Sequence, residues 1–90
     1  MAMSENTQKI FKYLQANNDG YTAQEIADAT GLPVKTVNGA FTSGIQRKEF
    51  GYRSEDKVKV TLPDGTEIEG KQLFLNEAGL AADVDALAAE

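Results

Sequence analysis

The spacing of the apolar residues changes once along this 90-residue chain, and that change limits the folds the chain can adopt. Up to Lys48 the apolar residues recur at intervals of three and four, which is typical of amphipathic helices. From Lys57 onward they alternate with polar residues on both sides of the turn sequence Pro63-Asp64-Gly65, which is typical of a β-hairpin. Because 90 residues form a single small domain, the helices and the hairpin must share one core. We therefore predict an α+β fold.

The first helix is predicted over residues 6–16, where Ile10, Phe11 and Leu14 share one face. A second helix is predicted over residues 22–30, because Thr22 and Glu25 have the spacing of a capping box. We expect the first helix to end in the Asn- and Gly-containing residues 17–20, and the second at Gly31.

The third helix is predicted over residues 33–48 and carries two glycines. Gly44 falls on the apolar side of this helix, where we expect it to let another helix approach closely. Gly39 falls on the polar side, where it removes bulk from a surface that could contact a ligand. The polar side also carries Lys35, Asn38, Thr42 and Gln46 at helical spacing.

The hairpin strands are predicted over residues 57–62 and 66–75, followed by a helix for which Asn76 is the N-cap. Leu80, Val84 and Leu87 form an apolar stripe that packs on the first helix, pairs with a second copy of the chain, or frays. We expect a disordered N-terminus at residues 1–5, a domain at residues 6–80, and a C-terminal helical tail at residues 81–90.

The composition excludes several kinds of site. There is no Cys and no His, so disulfides, zinc fingers and the usual catalytic bases are ruled out, and no serine has a base to activate it. We therefore predict a protein that is not an enzyme and that has no cofactor and no metal site. No stretch of the sequence predicts a membrane span or a signal peptide, so we expect a cytoplasmic protein without a membrane partner.

The formal net charge of −5 is unevenly distributed along the chain. Residues 34–60 contain six basic and three acidic residues, a net charge of +3, whereas residues 61–90 have a net charge of −6. A basic middle segment between acidic ends can present a local positive face on an acidic protein.

Three motifs in this order resemble winged helix-turn-helix regulators of the MarR-like type. Their helix-turn-helix pattern "E-I-A…G-L-s…T-V" is filled by Glu25, Ile26, Ala27, Gly31, Leu32, Thr36 and Val37. Residues 46–53 are similar to the basic stretch "K-K-G-L-v-x-R" that leads into the wing, and residues 75–79 are similar to the "L-T-E-x-G" that follows it. Two positions differ, because Glu49 stands where the family has a turn glycine and Gly44 where it has Leu. The resemblance covers residues 7–80 and extends to short regulators of Gram-positive bacteria and their phages.

The resemblance implies a three-helix core, a β-hairpin wing and a short C-terminal helix, in a regulator that binds double-stranded DNA and associates with the nucleoid. The third helix would enter the major groove and the wing would lie on the adjacent backbone. The candidate DNA-binding residues are Lys35, Thr36, Asn38, Gly39, Thr42, Gln46, Arg47, Lys48, Arg53, Lys57 and Lys59. The alternatives to DNA contact are a merely solvated helix face and a hairpin whose charges balance one another.

A different class of function remains open on the sequence. A sequence pI near 4.6 is unusual for a DNA-binding domain and favours a winged-helix module that binds a protein, such as a polymerase or another regulator, through its acidic surfaces. A homodimer is a further possibility, whereas the basic middle segment argues against a protein that mimics DNA.

Overall fold

The computed structural model describes residues 3–89, which contain five α-helices and a three-stranded antiparallel sheet. The helices are α1 (Glu5–Ala16), α2 (Ala23–Thr30), α3 (Val34–Phe41), α4 (Glu77–Ala81) and α5 (Val84–Ala89). The strands are β1 (Tyr21–Thr22), β2 (Gly51–Thr61) and β3 (Glu67–Leu75). The predicted α+β arrangement of a three-helix core, a hairpin and C-terminal helical structure is confirmed.

The first helix starts earlier than predicted. Ser4 is its N-cap and accepts a hydrogen bond from the Thr7 backbone N–H, so the last residues of the segment predicted to be disordered belong to the start of α1. Residues 1 and 2 of that segment, and residue 90 of the predicted tail, lie outside the described residues. The predicted apolar face is confirmed, because Ile10, Phe11 and Leu14 are fully buried.

The helix-turn-helix forms where the sequence predicts it. The Thr22 and Glu25 capping box is complete, since the Thr22 hydroxyl accepts from the Glu25 backbone N–H and the Glu25 carboxylate accepts from the Thr22 backbone N–H. Gly31 ends α2 in the left-handed conformation with φ of 76°. Val37 and Phe41 of α3 are buried against α1 and α2.

The prediction of one regular helix over residues 33–48 is wrong. After Phe41 the chain forms a π-helical segment, Thr42–Gln46, in which the Arg47 N–H bonds to the Thr42 carbonyl at 3.0 Å. The Ser43 hydroxyl donates to the Gly39 carbonyl at 2.8 Å, a side-chain bond that competes with the regular α-helical pattern. Gly44 lies in this segment against Thr7 of α1, so the expected close approach of a second helix is confirmed.

The sheet contains a strand that sequence reasoning missed. The two residues of β1 pair with β3, Tyr21 opposite Leu73 and Thr22 opposite Gln72, which gives the strand order β1-β3-β2. The hairpin of β2 and β3 is longer than predicted, and its register shifts between Arg53 and Lys57 at a β-bulge.

The predicted single C-terminal helix is divided in two. Asn76 caps α4 as expected, but Ala82 is extended, and the Asp83 carboxylate accepts from the Ala86 N–H at the start of α5. Val84 is buried in the core and Leu87 packs against it, whereas Leu80 is exposed. Two of the three residues of the predicted stripe therefore pack within the domain.

Within residues 3–89 no helix combines the length and the apolar composition that crossing a membrane requires.

Candidate nucleic-acid interface

The polar side of α3 and of the π-helical segment faces solvent, and most of the candidate residues lie there. Lys35, Asn38, Gly39 and Gln46 are exposed, and Thr36 and Thr42 are half-buried. A Cβ added at Gly39 would meet no atom within 4 Å, which agrees with the expected open surface. Arg47 and Lys48 are exposed in the turn after the segment, while Lys57 and Lys59 are exposed on β2.

Arg53 is brought against the polar side of α3. Its register partner on β3, Leu73, is fully buried, so the Arg53 side chain leaves β2 on the core side of the sheet. Arg53 Nη1 donates to Asn38 Oδ1 at 3.1 Å, Nη2 donates to Thr42 Oγ1 at 2.9 Å, and Nε donates to Gln46 Oε1 at 3.2 Å. One guanidinium therefore touches three of the candidate residues, which shows that these three share one face.

The surroundings of Arg53 are partly apolar. Its guanidinium carbon lies 5.1 Å from the centre of the Phe41 ring, within the range of a cation–π contact. Burial lowers the pKa of Arg53 below its ordinary value because it disfavours the charged form, but a guanidinium remains charged in proteins. The backbone of Arg53 belongs to β2, but its side chain lies against α3.

A cleft of about 290 Å³ separates the start of α3 from β3. Val34 and Asn38 line it on the helix side, and Gly70 and Lys71 line it on the strand side. Lys71 lies directly opposite Lys57 in the sheet register, and like charges in that position repel each other. Lys71 lines the cleft together with Glu69 and Arg53, and it has no ion-pair partner within residues 3–89.

The basic residues near α3 are not balanced by ion pairs. Among residues 3–89 the single salt bridge joins Lys12 to Asp85, far from α3 along the chain. Glu69 is the register partner of Lys59, yet the two side chains form no ion pair. The cations of α3, the turn after it and the hairpin that have no acidic partner in the described part of the chain are Lys35, Arg47, Lys48, Arg53, Lys57, Lys59 and Lys71.

Glu49 follows this basic turn with φ of 62°, a left-handed conformation that favours glycine. The MarR-like pattern has a glycine at this position, and the backbone here adopts the left-handed conformation that suits glycine although the residue is Glu. The Glu49 carbonyl accepts from Asn76 Nδ2 at 2.7 Å, which fastens the turn to the start of α4.

Sequence reasoning missed two features of this surface. Val34 is 38% exposed at the first turn of α3 and lines the cleft, where it offers an apolar contact. Its place directly after Pro33 at the start of the helix was a usable signal. The Arg53 contacts had no local signal, because they join residues that are 7 to 15 positions apart across a turn.

Comparison with known proteins agrees with this geometry. Residues 3–40 match a family model described as winged helix-turn-helix DNA-binding. The chain has a winged helix-turn-helix fold. The matched residues include α1, α2 and most of α3, and the hairpin that defines the wing follows them.

A solved structure has the same fold over nearly the whole chain. The chain is 24% identical to MepR, a transcription regulator of the Staphylococcus aureus multidrug efflux pump MepA, with a TM-score of 0.68. The match covers 97% of this chain but 56% of the MepR chain, so the protein spans little more than half of that structure. It confirms the predicted winged-helix arrangement of the helices and the hairpin. No curated protein matches the sequence.

Proposed function

We propose that this winged helix-turn-helix protein is a DNA-binding transcription regulator in which α3 enters the major groove and the wing lies on the adjacent phosphate backbone. The observation that carries the proposal is the shared, solvent-facing side of α3 and the π-helical segment, on which Asn38, Thr42 and Gln46 lie together. In helix-turn-helix proteins the second helix of the motif reads base edges from such a side.

The charge pattern supports the same proposal. Lys35, Arg47 and Lys48 have no ion-pair partner within residues 3–89, and neither do the wing residues Lys57 and Lys71. Unpaired, exposed cations that flank a readout helix are the groups that bind phosphates and fix the orientation of a protein on the duplex. We expect about four to six phosphate contacts from this surface.

The first experiment measures binding to a random-sequence DNA duplex by fluorescence anisotropy at about 50 and 200 mM salt. Four to six phosphate contacts predict that affinity falls about 100- to 2,000-fold between these concentrations, because bound cations release counterions from DNA. No binding at the lower salt concentration would contradict the proposal.

Two lysine variants test where the DNA lies. We expect Lys48→Ala to weaken binding to all sequences alike and to reduce the salt slope by about one, because one phosphate contact is lost. Lys9→Ala is the matched control, since it removes the same charge from an exposed position on α1. Equal losses for the two variants would show that only overall charge matters and would contradict an interface at α3.

The protein-binding alternative is tested on the acidic residues near the C-terminus, where Asp85 is paired with Lys12 and Asp83 caps α5. If that alternative holds, replacing Glu77, Asp83 and Asp85 with neutral residues should abolish capture of a protein partner. Our proposal predicts that the same variant binds DNA as the wild-type protein does.

A further inference from the structure

Arg53 determines which way two amide side chains, Asn38 of α3 and Gln46 of the π-helical segment, present their polar atoms. It donates to Asn38 Oδ1 at 3.1 Å and to Gln46 Oε1 at 3.2 Å. A guanidinium has five N–H donors and no acceptor, so the amide atom that faces it must be the carbonyl oxygen. The NH₂ groups of Asn38 and Gln46 are consequently left for another acceptor, and within residues 3–89 neither has one.

This orientation changes what the two amides can recognise. An unconstrained Asn or Gln pairs with adenine by donating to N7 and accepting from the N6 amino group. Each amide oxygen points at Arg53 and has one of its two acceptor positions occupied, so the NH₂ donors are what the protein offers to a base edge. Guanine presents two adjacent acceptors in the major groove, N7 and O6, whereas thymine presents the single acceptor O4 and cytosine presents the N4 amino donor.

The arrangement exists before any DNA is bound, because Arg53 is held from several sides. Thr42 Oγ1 accepts from Nη2 at 2.9 Å, and the Asn38 carbonyl lies 3.4 Å from the same nitrogen. The Phe41 ring lies beneath the guanidinium, and the backbone of Arg53 is fixed by its pairing with Leu73. Such contacts hold the guanidinium in place without help from a ligand.

We propose that Arg53 is a positioning residue that makes Asn38 and Gln46 hydrogen-bond donors toward DNA, so that the bases facing them in a bound site are guanine rather than cytosine or adenine. The inference rests on the proposed function, and it assigns Arg53 a role in base preference instead of a phosphate contact on the wing.

The test selects preferred duplexes from a random pool with the wild-type protein and with four variants. Asn38→Ala and Gln46→Ala identify the base positions that these side chains read. These are the positions of the duplex at which the variant no longer prefers one base. At those positions we expect wild-type protein to favour guanine about 5- to 150-fold, the range for one good pair of base contacts. Arg53→Met should lose that preference and retain its salt-dependent binding to random DNA. Arg47→Met, the matched control, should retain the preference and lose part of the salt slope.

Three results would overturn the inference while leaving DNA binding in place. The first is adenine or cytosine at the identified positions in sites selected by wild-type protein. The second is an unchanged preference in Arg53→Met. The third is that Arg53→Met loses the same affinity for every sequence and that its salt slope falls by about one. That result would show that Arg53 contacts a phosphate. If wild-type protein binds no duplex at all, the proposed function fails and this inference fails with it.

A measurement without DNA distinguishes failure of this inference from failure of the proposed function, and it also shows whether the variants fold. The NH₂ groups of Asn38 and Gln46 give side-chain amide signals in a ¹⁵N–¹H spectrum, which the two alanine variants assign. We expect both signals to shift in Arg53→Met and in Arg53→Lys, and neither to shift in Arg47→Met. Arg53→Lys retains the charge but cannot reach all three acceptors. Unchanged signals in a folded Arg53→Lys protein would overturn the inference whatever the DNA results.

Discussion

The two sides of the domain differ in whether their charged and polar side chains have partners of opposite charge or complementary hydrogen-bonding groups within the protein. On the C-terminal side, formed by α1, α4 and α5, Lys12 pairs with Asp85 at 2.7 Å. On that side Gln15 also donates to the carbonyls of Gly79 and Ala82, at 3.0 and 2.8 Å. On the α3–wing side, formed by α3, the π-helical segment and the β2–β3 hairpin, the cations have no acidic partners in the described part of the chain.

Under the proposed function, the C-terminal side serves stability and the α3–wing side is available for DNA. Contacts that close within the chain hold α4 and α5 against α1. Unpaired cations such as Lys57 and Lys71, opposite each other in the sheet, cost folding energy and are neutralised only by something outside the protein. The substitutions below test whether the two sides respond as this contrast requires.

The largest effect is expected on the C-terminal side, for Gly79→Ala. A Cβ at Gly79 would collide with the Phe50 carbonyl oxygen and lie 3.1 Å from Leu75 Cβ. Because backbone atoms cannot move aside easily, we expect a loss of about 3 kcal/mol in the free energy of unfolding. Thermal unfolding followed by circular dichroism should show a Tm about 10–20 °C lower. A change below about 1 kcal/mol would mean that α4 is loosely held.

The same substitution on the α3–wing side should have the opposite sign. Gly39→Ala adds a methyl group where no atom lies within 4 Å, so we expect a stability gain of about 0.5–1 kcal/mol from better helix propensity. The added methyl should also weaken binding to a selected DNA site, because it occupies the contact surface. Gly31→Ala is the control, since it has equal space but φ of 76° and should lose about 1 kcal/mol. Destabilisation by Gly39→Ala would contradict an open surface.

A third substitution relieves the strain at the turn that leads into the wing. Glu49 has φ of 62°, so Glu49→Gly should stabilise the domain by up to about 1 kcal/mol. Glu55→Gly removes the same charge from β2, where φ is not positive, and should destabilise the domain slightly. Chemical denaturation of both variants measures the difference. Equal changes in the free energy of unfolding for the two variants would show that the lost charge, and not the backbone conformation, is the cause.

The smallest effect is expected for the ion pair of the C-terminal side. Both side chains are largely exposed, 52% for Lys12 and 79% for Asp85, so water and salt weaken their attraction. A double-mutant cycle with Lys12→Ala and Asp85→Ala should give a coupling of about 0.5 kcal/mol or less, decreasing at high salt. A coupling above about 1 kcal/mol would show that the pair helps to dock α5.

The parts of the fold that were predicted correctly depend on residues close together in sequence. The capping box of Thr22 and Glu25, the left-handed Gly31 and the Asn76 cap are local arrangements of three or four residues. Periodicity likewise located the buried face of α1. The break before α5 was also readable, because Asp83 has the spacing of an N-cap to Ala86, but the continuous apolar stripe concealed it.

The parts that were not predicted depend on contacts across the chain. Two residues are too few for a periodic signal, and β1 exists only because Leu73 and Gln72 lie beside it. Sequence reasoning placed Arg53 in the basic stretch that leads into the wing, and only the packing of β2 against α3 brought it to Asn38. The surface of α3 was therefore predicted, but the orientation of its side chains was not.

The short strand β1 has a consequence for the size of the DNA site. Thr22 is at once the last residue of β1, paired with Gln72, and the cap on which α2 begins. Thr22 therefore joins the helix-turn-helix directly to β3, the strand that leads out of the wing. Under the proposed function, the distance between the groove contact and the backbone contact is set before the protein meets DNA. The length of the covered site can then change only if the hairpin bends, and the β-bulge between Arg53 and Lys57 is the place where its ladder is interrupted.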